Sequence, residues 1–597
     1  MRPPINHGAL PVPTRQPRPA AERFVTSKDA NRPARTEQLF RVDDKIQMSI
    51  RAPRNWAASK QVVVKASLHR WAAASRSSLP QLKGDHVQVL TRCCAWSFNS
   101  ESAMSISITS SVPVRGVARW LMPFCIGAIV YVFFLGIGDV MLRDSDTLWQ
   151  IKIGQWILEH RALPYNDIYS FTRAGEAWIS SSWLSQVLFA LVYEPSNWSG
   201  AVILTSLAIG VTAAIFVYLL EPYLEPARAF LLLTPLLAMS VGHFLARPHM
   251  LALPVMLASV GGLLAAADRR TAPSWLLLPL MALWANLHGG FVMGLVLIGP
   301  IGLDAIVAAD RNDRFAVAAR WALFGLAALA ASCCTPYGWD TLLGATKILS
   351  LGKLLSLIWE WMPADFSSFS PFEAALLGLI AIGYCSGLTL PWTRILLLLG
   401  LTWAALTHVR NIEVFALLTP LVVAKPFAEQ LGLTRAVAQE PRFSFTMTAI
   451  AALVIVVAGW SITRSYATPH RYAFVANQSP AAAVDLLERR HAQRIFSTAP
   501  IGGYLITRNI KSFIDGRAEL YGEQFVLDYF DAVEGKNVET LLRLLETYRI
   551  DATLLNTSIP AARIMDHLPG WKQLYADDIA VVHVRDDAPV QLPPASR

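Results

Sequence analysis

The chain is predicted to be an α-helical polytopic membrane protein of about 11 transmembrane helices with a C-terminal extramembrane α/β domain. Three observations carry that expectation. Hydrophobic residues make up 54% of the 597 positions and charged residues only 16%, with a mean hydropathy of +0.39, more apolar than a water-facing surface tolerates. Apolar runs of bilayer-crossing length recur from Trp120 to Ile462. Beyond about Thr463 the pattern changes to short β-like runs separated by helical stretches.

Residues 1–111 are rich in Arg, Pro, Ser and Ala without apolar periodicity, and are expected to be a disordered basic extension. Met104, followed by Arg115, Arg119 and a hydrophobic helix, is an alternative start. The run from Arg119 to Gly138 lacks a small-residue cleavage site and reads as a retained anchor. The net charge of +9 sits in this extension and in short loops between apolar runs, so it reports topology; no nucleic-acid partner is expected. The six cysteines show neither metal spacing nor a disulfide framework.

The transmembrane region is placed at 112–463. Its candidate spans are Trp120–Gly138, Ala201–Leu220, Ala229–Phe244, Met250–Ala267, Trp275–Leu287, Phe291–Ala309, Phe315–Ser332, Phe372–Leu388, Ile395–Leu406, Val414–Ala428 and Phe445–Ile462. With Arg115 and Arg119 in the cytoplasm, the loops on that side carry Arg228, Arg269/Arg270, Arg311/Arg314, Arg394 and Arg435/Arg442, as the positive-inside rule requires. The same count puts outside Asp144 and Asp146, His243-Phe-Leu-Ala-Arg-Pro-His249, Asn286-Leu-His-Gly-Gly290, Trp359-Glu-Trp361 and His408-Val-Arg-Asn411. Each is either an interfacial helix end or one wall of a shared wet cavity; five on one face favour the cavity.

The first external loop, 139–198, is too long for a simple connection. Trp149, Ile153, Trp156 and Ile157 share a helical face, and Trp183, Leu184, Val187 and Leu188 make a second stripe; both suit helices lying at the membrane interface. Pro164, Asn166, Asp167 and Gly175 supply turn chemistry between them. Asp146 is placed to N-cap the first of these helices.

The run Asp144-Ser-Asp-Thr-Leu-Trp-Gln-Ile-Lys-Ile-Gly-Gln-Trp-Ile157, followed by Pro164-Tyr-Asn-Asp-Ile-Tyr-Ser-Phe-Thr172, resembles the GT-C glycosyltransferases that use polyprenyl-phosphate-linked sugars, and bacterial membrane proteins near that superfamily. The likeness covers roughly Arg119 to Ala428, mostly as topology. It implies a GT-C-like fold in a bacterial inner membrane, N-terminus cytoplasmic and C-terminal domain periplasmic. It also implies partners: a lipid-linked sugar donor, membrane lipids, and a glycan, lipid or protein acceptor.

Such a transfer needs a base near the acceptor and cations near the departing phosphate. Asp146 is the first choice for the base and Asp144 the second; Arg247 and Arg410 are expected on the phosphate, assisted by His249, His288 or His408. No cofactor is certain; a divalent cation held by Asp144 and Asp146 is the alternative use of the pair. Trp359 and Glu360 are either a sugar platform or an interfacial belt, and Asp167 and Trp183 are further acceptor-side candidates.

In the region 464–597, Arg494–Ser497, Ser512–Asp515 and Ala552–Asn556 read as strands, Val538–Tyr548 and Ala561–Leu568 as helices, and Lys572–Tyr575 with Ile579–Val584 as a hairpin. Asp515, Arg517 and Tyr521, after a predicted strand end, are either an acceptor-binding group or an ion pair fixing a turn. Two other function classes stay open: an O-antigen-ligase-like enzyme, whose long loop would fall later in the chain, and a transporter or envelope-assembly scaffold, which would show internal repeats.

Overall fold

The structure, a computed structural model, describes residues 118–349, 351–433, 445–467, 470–474 and 479–586. The basic extension, Met104, Arg115, Arg435 and Arg442 lie outside the described residues.

Helix α1 (Ala118–Gly136) and a 3-10 turn (Gly138–Leu142) lead to α2 (Asp146–His160). After an irregular stretch come α3 (Trp183–Leu220), α4 (Pro226–Ser240), α5 (Pro248–Asp268), α6 (Leu277–Leu287), α7 (Phe291–Ala308) and α8 (Arg314–Ser332). Then follow α9 (Asp340–Leu349), 3-10 turns at Gly352–Leu357 and Trp359–Trp361, α10 (Pro371–Cys385), α11 (Trp392–Thr407), α12 (Ile412–Gln430) and α13 (Phe445–Ala467). A helix thus occupies each predicted apolar stretch. Five of them, at Trp183–Leu220, Pro248–Asp268, Phe291–Ala308, Arg314–Ser332 and Val409–Gln430, are long and apolar enough to cross a membrane; shorter apolar helical stretches lie at Leu121–Gly136, Ala227–His243, Leu277–Leu287, Pro371–Cys385, Trp392–Thr407 and Leu453–Ala467.

Local chemistry sets several of these boundaries. Proline opens α4, α5 and α10 at a position whose N–H has no helical partner anyway, and the Ser370 hydroxyl accepts the Glu373 N–H to cap α10. The α1 and α3 backbones touch at Gly127 and Gly210, where a Cβ on either would lie 2.7 Å from the other's carbonyl oxygen. In α3, Pro195 and the left-handed Asn197 (φ 50°) separate the amphipathic segment from the span.

The last region packs α14 (Ala481–Arg489), α15 (Ala499–Thr507), α16 (Ala518–Tyr521), α17 (Glu523–Val533), α18 (Val538–Thr547) and α19 (Pro560–Met565) on a four-stranded sheet. Its strands β1 (Ile495–Ser497), β2 (Ala552–Asn556), β3 (Trp571–Ala576) and β4 (Ala580–Arg585) are ordered β1-β2-β4-β3. β1 and β2 are parallel, with Ile495 opposite Ala552; β4 runs antiparallel to β2, with Leu554 opposite Val582, and to β3. The terminal hairpin is present.

Two expectations are corrected. Ser512–Asp515 is not a strand of this sheet: Ser512 donates its N–H to Tyr169 and accepts from Phe171, so its backbone is satisfied by the stretch between α2 and α3. And the stripe on α2 does not face lipid headgroups, because Trp149, Ile153 and Ile157 are buried in one core with Phe496, Phe513 and Tyr529 of the C-terminal domain. Trp183 and Val187 pack on the same core while Leu184 and Leu188 turn to the membrane helices, so α3 bridges the two.

Candidate functional site

Chain geometry delivers the charges to one place. Asp144 lies in the turn before α2, its Oδ1 accepting the Asp146 N–H at 2.9 Å. Asp146 is therefore the first residue of α2 and not its N-cap, which is Ser145. Arg247, in extended backbone before Pro248, sits at the start of α5. Its guanidinium collects three carboxylates: Nη1 reaches Asp144 at 3.0 Å and also bonds Glu360, and Nη2 reaches Asp146 at 2.7 Å. Trp149, one turn along α2, donates Nε1–H to Asp146 Oδ1 at 2.9 Å.

Arg247 also lines a cavity of about 150 Å³ with His243, His249, His288, Trp359, Glu360, Arg410 and Glu413. Arg410 approaches Glu360 at 3.9 Å and lies over the Trp361 ring at 4.6 Å. His249 donates Nε2–H to the His243 carbonyl at 2.9 Å, and His288 Nδ1 accepts the Gly290 N–H at 3.1 Å. His408 turns away: its Nδ1 donates to the Trp361 carbonyl at 2.7 Å, so it fixes the loop behind Arg410 and does not line the cavity.

Burial raises the Asp146 carboxyl to about 6; Arg247 opposes the rise, but divides its charge among three acids, and Asp144 adds repulsion. Burial also works against the Glu360 carboxylate, but Arg247 and Arg410 outweigh it and bring it down to about 2. Two carboxyls beside one guanidinium thus differ in readiness to take a proton, Asp146 being the receptive one.

The carboxylate pair does not fit a divalent ion as it stands. Asp144 Oδ1 and Asp146 Oδ1 accept N–H groups, and both Oδ2 atoms face Arg247. Among the described residues no group of three His, Cys, Asp or Glu side chains is placed to hold a metal.

The other candidates fall elsewhere. Asp515, Arg517 and Tyr521 are buried and bonded to one another, the ion-pair alternative: Arg517 bonds Asp515 through Nε at 2.8 Å and Nη2 at 2.7 Å, and Tyr521 donates to Asp515 at 2.7 Å. Asp167 joins them, meeting Arg517 Nη1 at 2.7 Å with both side chains wholly buried. Trp183 donates Nε1–H to Asn286 at 2.9 Å, tying α3 to the end of α6 just before His288, and lies outside the cavity lining. Trp359 does line the cavity and is 57% exposed.

Sequence reasoning missed Glu413 and Gln150, both lining the cavity. Glu413 reads as an ordinary first-turn acid of α12, yet it is buried, and its Oε2 has no hydrogen-bond partner among the described residues. Gln150 accepts from Gln186 at 2.6 Å. Far down the same helices, Arg394 of α11 bonds Asp304 at 2.6 Å and Asp268 at 2.5 Å; it is a buried ion-pair residue and not a loop charge. With the 21 residues of α5 between them, the two polar clusters stand ~30 Å apart.

No family model matches the chain, and neither does any curated protein. Among solved structures it is similar to the Archaeoglobus fulgidus oligosaccharyltransferase in its apo form, at 10% identity and a TM-score of 0.43 over 74% of this chain and 70% of that one. It is similar also to the same organism's oligosaccharyltransferase AglB in complex with an inhibitory peptide and a dolichol-phosphate, at 11% identity and a TM-score of 0.40 over 72% and 69%.

Proposed function

We propose that this chain is a multi-pass membrane glycosyltransferase that moves a sugar from a polyprenyl-phosphate donor to a glycan, lipid or protein acceptor at the periplasmic face of a bacterial inner membrane. All eleven apolar helices cross the bilayer in this reading. The observation that carries it is the convergence of Asp144, Asp146 and Glu360 on Arg247, which with Glu360 lines a cavity shared by Arg410 and three histidines. Charges this costly at a membrane boundary are kept for chemistry.

Asp146 is the base. Above its pKa of about 6 the carboxylate takes the proton of the acceptor hydroxyl or amine as that group attacks the anomeric carbon. Arg247 holds it in place and, already committed to three acids, is not the phosphate site. Arg410, lying over the Trp361 ring, holds the donor's phosphate in the ground state and the transition state alike. Trp359 offers its exposed ring to the sugar. No step is routed through a metal ion, since Arg247 fills the space between the acids.

The test is transfer by membranes carrying Asp146→Asn, assayed against radiolabelled polyprenyl-phosphate sugars. Transfer by the parent protein and its loss in the variant, at equal abundance, supports the assignment; equal transfer by both removes it. A parent that binds a lipid-linked sugar without turning it over would make the cavity a transporter's.

A further inference from the structure

The three acids around Arg247 come from two external segments, and both are gripped by the C-terminal domain. On the first, the turn 513–517 lies against the start of α2: a Cβ at Gly516 would stand 2.2 Å from Asp146 Oδ1 and 3.0 Å from Trp149 Nε1. Gly503 is also close-fitted, though less tightly, a Cβ there falling 2.9 Å from the Ser145 carbonyl oxygen. On the second, Glu523 at the start of α17 accepts the Lys353 N–H at 2.7 Å, and Leu354 is wholly buried in the domain's core. Glu360 follows six residues later. The buried Asp167–Arg517–Asp515 bonds then lock the first external loop to the turn that carries Gly516.

We infer that the C-terminal domain is the device that sets the carboxylates of the membrane site, with Gly516 as a positioning residue whose missing side chain leaves room for the Asp146 carboxylate. This deepens the sugar-transfer reading and rests on it for the kinetic arm below. An acceptor-binding module tethered to the membrane part would leave its polar cluster open; here that cluster is spent on the junction. The space at residue 516 is that of a carboxylate oxygen, so any added carbon must push Asp146 or Trp149 aside. A displacement of ~1 Å at a base costs on the order of a hundredfold in rate.

Two arms separate this inference from the reading beneath it. The geometric arm uses the full chain carrying Asp146→Cys and Gly516→Cys. The added Cβ at position 516 lies 3.0 Å from Asp146 Cγ, close to where a cysteine sulfur would sit. Mild oxidation in membranes should join the two segments, so that fragments cut between them stay together until reduced. Absence of the crosslink overturns the inference whatever the activity. The kinetic arm compares Gly516→Ala and Trp149→Phe, the second removing the N–H that steadies Asp146 together with part of a buried ring. Both should lower kcat tenfold or more with donor KM within about threefold, and should move the acidic limb of the pH profile. Trp149→Phe keeps the test alive if Gly516→Ala does not fold. Unchanged kcat and pH profile in an active protein overturns the inference and leaves the function standing. A crosslink in the double-cysteine variant, beside a parent that transfers no sugar, upholds the placement and removes the function.

Discussion

Arg517 and Asp167 stand 350 residues apart in sequence and meet at 2.7 Å with neither side chain exposed. The guanidinium is held by Asp515 through Nε and Nη2 on its other edge and lies 4.8 Å from the Trp178 ring. Breaking such a bond from one side leaves a buried charge without its partner, which is where the largest losses of stability arise.

Arg517→Met should therefore lower stability by about 3–5 kcal/mol, read as a fall in the tryptophan-fluorescence unfolding temperature in detergent. Arg517→Lys should recover only part, because one ammonium cannot bond both acids as the fork does. An unfolding temperature unmoved by Arg517→Met would show that the junction does not hold the domain.

Acid should attack the same junction. Burial alone would raise the Asp515 carboxyl, but Arg517 and Tyr521 outweigh it and hold it below its usual range. With the folded pKa below the unfolded value of about 4, its stabilisation is complete above about pH 4 and is lost as the pH falls through the folded value. Hydrogen exchange across 512–521 should speed up in that window; constant exchange would contradict the assignment.

Asp146 behaves in the opposite sense. Its folded pKa of about 6 exceeds the unfolded value, so its stabilisation is present below about pH 4 and is lost as the pH rises through about 6. Activity needs the ionised form and so should climb about tenfold per pH unit below 6 and level off above it. A rate flat from pH 5 to 8 would rule out Asp146 as the base.

Arg410→Ala should raise the donor KM by roughly 10–100-fold, the worth of one charge-assisted bond to phosphate of about 1.5–3 kcal/mol, with a smaller effect on kcat. Arg247→Ala should cost kcat more than KM, since it releases the base. Equal effects of the two changes on both constants would collapse the division of labour between them.

The kink in α3 gives a prediction independent of activity. Asn197 holds φ at 50°, and a Cβ on Gly200 would stand 2.0 Å from the Val192 carbonyl oxygen, so the chain turns there with no slack. Asn197→Gly should be neutral or stabilising by up to about 1 kcal/mol, and Asn197→Val destabilising by about 1–2 kcal/mol, in the same unfolding assay.

Much of this was legible because hydrophobic runs make every charge between them conspicuous. Asp144, Asp146, Arg247, Glu360 and Arg410 stood out for that reason, and the structure brings them together. An amphipathic stripe, by contrast, announces an apolar surface without naming its partner; Trp149, Ile153 and Ile157 suit lipid headgroups as well as they suit Phe513. Ser512–Asp515 has a strand's composition, but which backbone it pairs with is a contact across more than three hundred residues, beyond any local pattern. Glu413 hid behind a commonplace, an acid in the first turn of a helix.

Order of synthesis gives the burial of α2 a cellular consequence. Trp149, Ile153 and Ile157 leave the ribosome more than three hundred residues before Phe513, the ring they pack with. At ~5–20 residues per second the stripe stays bare for tens of seconds. A nascent chain must therefore lean on a chaperone or on the lipid surface in that interval, and messages cut short before the final domain would yield a sticky product fit for quality-control proteases.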